Sequence, residues 1–95
     1  MLNGKQKRYL RSLAVNEKPI FQIGKDGLSE NLFTSLNEAL CARELIKISI
    51  LKTCDIDLDQ IMIEIINNTN SELVQVIGKT IVLYRQSKDH IINLP

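Results

Sequence analysis

The stretch Leu45-Ile46-Lys47-Ile48-Ser49-Ile50-Leu51 alternates strictly, placing Ile46, Ile48 and Ile50 on one side of an extended chain and Lys47 and Ser49 on the other. A strand of that kind needs an apolar surface to lie against, and both neighbouring stretches offer one. Leu32, Phe33, Leu36, Ala39 and Leu40 recur at intervals of three and four, so residues 29–42 read as an amphipathic helix with Ser29 as N-cap and Glu30 in its first turn. Leu58, Ile61, Met62, Ile65 and Ile66 form a second helical stripe. Asp57 is its N-cap, Gln60 completes an approximate capping box, Ile56 and Ile61 hold staple positions, and the run from Asn67 to Asn70 stops it. Beyond it, residues 73–77 and 80–85 are strand-like and separated by Gly78-Lys79, the length of a tight antiparallel hairpin turn.

The chain opens with another helix. Over residues 5–14, Leu10, Leu13 and Ala14 give a short apolar stripe with Tyr9 at its edge, Asn3 is placed to cap, and the pairing of Asn16 with Pro19 ends the helix before Lys18. Residues 20–23 then suit a short strand closed by Gly24. The predicted order is α-β-α-β-α-β-β, a compact α/β domain over residues 1–95 with a four-stranded mixed sheet. Residues 86–95 form a short terminal extension whose Ile91, Ile92 and Leu94 are suited to covering a sheet edge or a helix end.

Composition bounds the function classes. At 95 residues, 44% hydrophobic and 24% charged, the chain has globular proportions and no room for two cores. Its longest apolar runs, Ala39 to Ala42 and Ile81 to Tyr84, are four residues, against the ~20 needed to span a bilayer. The basic opening never enters an apolar segment, so the expectation is a cytoplasmic protein without a secretory signal. Cys41 and Cys54 read as reduced thiols, Cys41 as a structural one, and His90 is the only histidine, leaving no zinc ligand set and no expected cofactor or metal.

The formal net charge of +1 conceals a division: Lys5, Lys7, Arg8, Arg11, Lys18 and Lys25 face only Glu17 in the first 25 residues, giving that segment +5 and the remainder −4. Lys5, Arg8 and Arg11 repeat every three residues and Lys7 precedes Arg11 by four, so the first helix presents cations beside its docking stripe. The loop Gly24-Lys25-Asp26-Gly27 follows directly from the first strand, and two glycines around two polar residues permit positive backbone angles or the close approach of a ligand. By themselves these four residues suit many surface turns. If the first two helices pack on one side of the sheet, the loop and the basic helix converge, and Lys5, Arg8, Arg11 and Lys25, with Lys7 as a variant contact, would meet the phosphates of a polyanion.

Catalytic readings have less to draw on. Asp55, Asp57 and Asp59 could attract magnesium, but Gln60 and Ile66 stand where a calcium loop needs its glycine and its bidentate glutamate. Ser29, Ser49 and His90 have no marked base or orienting acid. Tyr9, Phe21 and Tyr84 could stack on bases, with Tyr9 best placed because it sits beside cations.

Four segments, KQKRYLRSLA at residues 5–14, PIFQIGKDGLSEN at 19–31, ALCARELIKISIL at 39–51 and VQVIGKTIVLYR at 74–85, resemble successive signature regions of the small bacterial CRM-domain proteins, the YhbY-like family associated with ribosome maturation. The resemblance implies a fold related to the C-terminal domain of bacterial translation initiation factor three. It also implies non-catalytic binding of structured ribosomal RNA or a large-subunit precursor; a monomer is a separate expectation. The family loop maps onto Gly24, Lys25, Asp26 and Gly27, and the flanking basic surface onto Lys5, Lys7, Arg8 and Arg11, with Arg43, Lys47 and Lys79 as further candidates. Asp26 lies beside the phosphate path, so its carboxylate should point away, cap the following helix or act through solvent. The alternative class is a protein-interaction module contacting a ribosomal protein or assembly factor through Lys47, Ser49 and Tyr84.

Overall fold

The computed structural model describes residues 2–95. The elements are α1 (Gly4–Ala14), β1 (Phe21–Ile23), α2 (Glu30–Arg43), β2 (Leu45–Ile50), α3 (Leu58–Thr69), β3 (Glu72–Ile77) and β4 (Thr80–Tyr84), in the order the sequence predicts. The strands form one mixed sheet in the order β1-β2-β4-β3. Phe21 lies beside Ile48 in the parallel β1–β2 pair, Ile48 beside Ile81 in the antiparallel β2–β4 pair, and β3 returns along β4 as a hairpin. Among the described residues no helix is long and apolar enough to cross a membrane.

Alternation along the two central strands divides the core in two. Ile46, Ile48 and Ile50 of β2 and Ile81 and Leu83 of β4 join Ile23 against Leu36 and Leu40 of α2 and Ile61 and Ile65 of α3. Leu45, Val82 and Tyr84 point the other way and, with Val74, pack against Leu2 and against Leu10 and Ala14 of α1. The uninterrupted run Ile81 to Tyr84 is therefore a strand buried on both faces. This corrects the arrangement in which the first two helices share a side: α1 covers the face opposite α2 and α3, because the alternate apolar residues of β2 and β4 would otherwise lie bare.

Local chemistry places most boundaries. Asn3 Oδ1 accepts from Gln6 N at 2.8 Å and Gln6 Oε1 accepts from Asn3 N at 3.1 Å, a reciprocal capping box. Ser29 Oγ accepts from Leu32 N at 3.1 Å. The start of α3 differs from expectation: Asp57 makes no side-chain cap bond, and Gln60 Nε2 donates instead to Glu64 Oε1 at 3.1 Å. Its end differs too. Asn68 Nδ2 donates to Glu64 O at 2.7 Å and Thr69 Oγ1 to Ile65 O at 2.6 Å, so these polar side chains bond back onto their own helix instead of drawing the chain out of it. The helix consequently runs on to Thr69, with Asn70 left-handed at its C-cap. A register shift between Leu73 and Gln75 gives β3 one extra residue against β4, a bulge that the alternation does not announce.

Glu44 joins α2 to β2 with φ of 66°, fully buried. Its carboxylate accepts from Ser87 N at 2.6 Å, Ser87 Oγ at 2.8 Å and Ile92 N at 2.6 Å, while its carbonyl accepts from Arg85 N at 2.9 Å. Residues 86–95 are thereby held on the α1 side, where Ile92 and Leu94 pack against the Leu2, Leu10 and Tyr84 cluster. The terminal extension thus adds to a core face. Arg85 ties the middle of α2 to the C-terminal end of α3, donating to Asn37 Oδ1 at 2.6 Å and Thr69 O at 2.6 Å. It also reaches Cys41 Sγ at 3.2 Å, and Cys41 is an exposed free thiol, where a packed structural one was expected.

Burial by itself pushes the Glu44 carboxyl up, but the hydrogen bonds from Ser87 and Ile92 outweigh it and hold the carboxyl below its ordinary value of about 4.5. Its contribution to stability is therefore complete above that value and is lost as pH falls through the lower folded-state value. Glu44→Gln should lower the unfolding free energy by roughly 2 kcal/mol at neutral pH and lack that acid-side loss, as read by urea unfolding over a pH series. Gly27 closes the 24–27 turn through its N–H to Gly24 O at 3.0 Å, with φ of 63°, and a Cβ there would stand 2.9 Å from Ile56 Cδ1. Gly27→Ala should cost about 1–2 kcal/mol, mostly from the backbone angle since the Ile56 methyl can move, and thermal unfolding would measure it.

Candidate nucleic-acid interface

α1 contains no acidic residue and docks through Leu10 and Ala14, which leaves Lys5, Arg8 and Arg11 fully on the solvent side and Lys7 half-buried at the edge of the stripe. Lys5 and Lys7 sit in and just after the first turn, where the helix dipole is positive; this disfavours them locally and adds to the outward positive potential. Tyr9 is 38% exposed on the same helix.

The helix crosses the end of the sheet where β2 and β3 begin. Leu2 N donates to Glu72 Oε1 at 2.9 Å, at the first residue of β3, and Ser12, Leu13 and Asn16 share a cleft with Leu45 and Arg43. Arg43, exposed in the last turn of α2, therefore belongs with the C-terminal end of α1. The 24–27 turn lies at the other end. β1, β2 and β3 run parallel to one another, since β2 and β3 are both antiparallel to β4, and all three leave the sheet at one end. Leu51 N donates to Ile23 O at 2.8 Å and Ile50 N to Lys79 O at 2.7 Å, tying these exits together.

Each exit carries an exposed lysine. The sequence reads Ile23-Gly24-Lys25, Ile50-Leu51-Lys52 and Ile77-Gly78-Lys79, the same Ile-x-Lys at intervals of 27 residues. Lys25 and Lys79 are recognisable from their glycine turns. Lys52 is not among the sequence candidates, although the recurrence of Ile-x-Lys at three strand ends is the signal that would have found it. Asp26 is exposed beside Lys25, and it does not cap α2, since Ser29 does. Gly24 and Gly27 are half-buried, the first facing Thr53 and Leu51, the second Ile56.

Between helix and lysine rim, part of the sheet face stays uncovered. Gln22, Ser49, Thr80 and Ile77 are register partners in one row across all four strands, on the α1 face but beyond the residues that α1 packs on. Gln22 and Ile77 are exposed, Ser49 and Thr80 half-buried. From Val82 beneath α1 to Lys79 at the rim is three residues, roughly 10 Å of strand. The basic helix and the glycine turn thus do not touch; they border a common strip of sheet. Lys47 lies on the same face, half-buried, its Nζ donating to Glu17 O at 3.1 Å.

Other candidates fall away on burial. Tyr84 is 2% exposed, so it offers no stacking ring and no protein-docking surface, and Phe21 packs against the α2–α3 core. Asp55, Asp57 and Asp59 are exposed around the start of α3, and among the described residues no group of three or more His, Cys, Asp or Glu gathers to hold a metal ion.

The sequence profile of the CRS1 / YhbY (CRM) domain matches residues 2–85. The chain is 50% identical over 90 residues to the "Probable RNA-binding protein YqeI" of Bacillus subtilis (strain 168), covering 95% of this chain and 94% of that protein. It is 37% identical over 95 residues to an "RNA-binding protein" of Haemophilus influenzae, covering 99% and 95%. Its backbone superimposes on the solution structure of SAV1595 from Staphylococcus aureus with a TM-score of 0.80, at 52% identity and over 100% of both chains. With the element order, the two-faced sheet and the glycine turn all falling within the matched span, the chain belongs to the CRS1 / YhbY (CRM) domain family.

Proposed function

We propose that the protein binds structured ribosomal RNA without catalysis, during assembly of the large ribosomal subunit. It would grip the RNA backbone between the outer face of α1 and the lysine rim at the strand exits. The observation that carries this reading is the strip of uncovered sheet bordered on one side by Lys5, Lys7, Arg8 and Arg11 and on the other by Lys25, Lys52 and Lys79. Cations separated by roughly 10 Å of strand suit successive turns of a folded backbone better than a single phosphate. The uncharged hydroxyl and amide groups of Gln22, Ser49 and Thr80 can hydrogen-bond sugar hydroxyls without repelling phosphate.

The relatives named for RNA binding support the polyanion, and the family resemblance supports ribosomal RNA as its source. One domain over residues 1–95, related to the C-terminal domain of translation initiation factor three and acting as a cytoplasmic monomer, completes the reading. Discrimination would come mainly from RNA shape, since Tyr9 is the aromatic side chain beside the cations with a ring open to solvent. A contact with a ribosomal protein is the weaker reading: of the three residues it needs, Tyr84 is buried and Lys47 is held by Glu17.

Charge reversal tests it. Lys5→Glu/Arg8→Glu/Arg11→Glu and, separately, Lys25→Glu/Lys52→Glu/Lys79→Glu should each weaken binding to a structured fragment of large-subunit RNA at least tenfold and reduce the salt slope by about 2 units, with unchanged circular dichroism. Unchanged affinity and slope in both folded variants would exclude this surface. Crosslinks in cells that map the same lysines to mature or precursor large-subunit RNA would identify the RNA.

A further inference from the structure

On the α1 side, at the end of the sheet away from the lysine rim, the N-terminal half of α1 and the terminal segment enclose a cleft of about 570 Å³, within the range of sites that hold small organic groups. Leu2, Ile92 and Leu94 give it apolar walls, and Gln6, Asn70 and Asn93 bring amide donors and acceptors to it. Tyr84 also lines it. That side chain is 2% exposed, yet its hydroxyl has no hydrogen-bond partner, and it is the buried side-chain polar atom of which this is true among the described residues. A buried hydroxyl left unsatisfied is unfavourable in the folded state, and a carbon-only ring would fill the same space without that penalty.

We propose that this cleft receives one unstacked nucleobase of the bound RNA, with the Tyr84 hydroxyl donating to an acceptor on the edge of the base. The inference rests on the RNA reading above and adds a base site to a backbone grip. Burial, and then the negative charges of Glu44 and Glu72, push the Tyr84 hydroxyl above its ordinary value, so it stays protonated and available as a donor at neutral pH. The cations fit the same geometry. Lys5 and Lys7 flank the cleft-lining Gln6 in sequence and diverge to either side of it on the helix, where the phosphates before and after a turned-out nucleotide would run. Tyr9, one helical turn beyond Gln6 and partly exposed, offers a ring to the neighbouring base. An unpaired nucleotide is the element that supplies such a base, since paired bases in an RNA helix keep their edges engaged.

The test compares two RNA hairpins of identical stem, one with a single bulged nucleotide and one fully paired, binding to the full-length protein. The wild type should prefer the bulged hairpin by at least tenfold, and 2-aminopurine at the bulge should change its fluorescence on binding. Tyr84→Phe removes only the hydroxyl. It should reduce the bulged-over-paired preference about tenfold and weaken the fluorescence change, with a melting temperature equal to or above that of the wild type. A wild type that does not distinguish the hairpins, or a Tyr84→Phe variant with the wild-type preference, would overturn the base site, leaving the backbone reading intact. Unchanged binding of both hairpins by both charge-reversal variants would instead remove the backbone reading, and the base site with it.

Discussion

The two central strands must be covered on both faces, and the rest of the molecule is arranged around that need. β2 and β4 lie side by side in the middle of the sheet, and successive residues of each alternate between two apolar cores. One core takes the α2–α3 pair. The other is smaller and is closed by α1 and the terminal segment together. A single helix of 11 residues cannot cover a whole sheet face, and the half it leaves bare is where Gln22, Ser49, Thr80 and Ile77 meet solvent. The candidate interface is thus a consequence of incomplete coverage, with the helix that does the covering supplying one of its two charged borders.

Glu44 secures the smaller core. A buried carboxylate held by N–H and O–H donors of the terminal segment keeps its charge without a cation because those donors are fixed in place and aimed at it. The same contacts bring Ile92 and Leu94 onto Tyr84 and Leu2, and so shape the cleft in which the Tyr84 hydroxyl is left without a partner. One side chain at the α2–β2 junction consequently links packing at the chain's end to the chemistry offered beside α1.

The strand exits show how topology converts sequence into a surface. Lys25, Lys52 and Lys79 are far apart along the chain and share one end of the sheet only because β1, β2 and β3 point the same way. Asp26 tempers the positive charge at that end of the sheet, whereas α1 has no acid to oppose its cations.

The element order, the caps at Asn3 and Ser29, the hairpin turn at Gly78 and the basic character of α1 are legible in the chain, because each depends on residues within one or two turns of one another. The prolonged end of α3 and the bulge in β3 are not, since polar side chains bonding their own helix and an extra residue in a ladder leave the periodicity almost unchanged. The burial of Tyr84 and Glu44, the exposure of Cys41, the side of the sheet that α1 occupies and the gathering of the three rim lysines were decided by tertiary structure alone. Each depends on which strand lies beside which, and strand neighbours are chosen by burial of both sheet faces at once, a condition that no local run of residues contains.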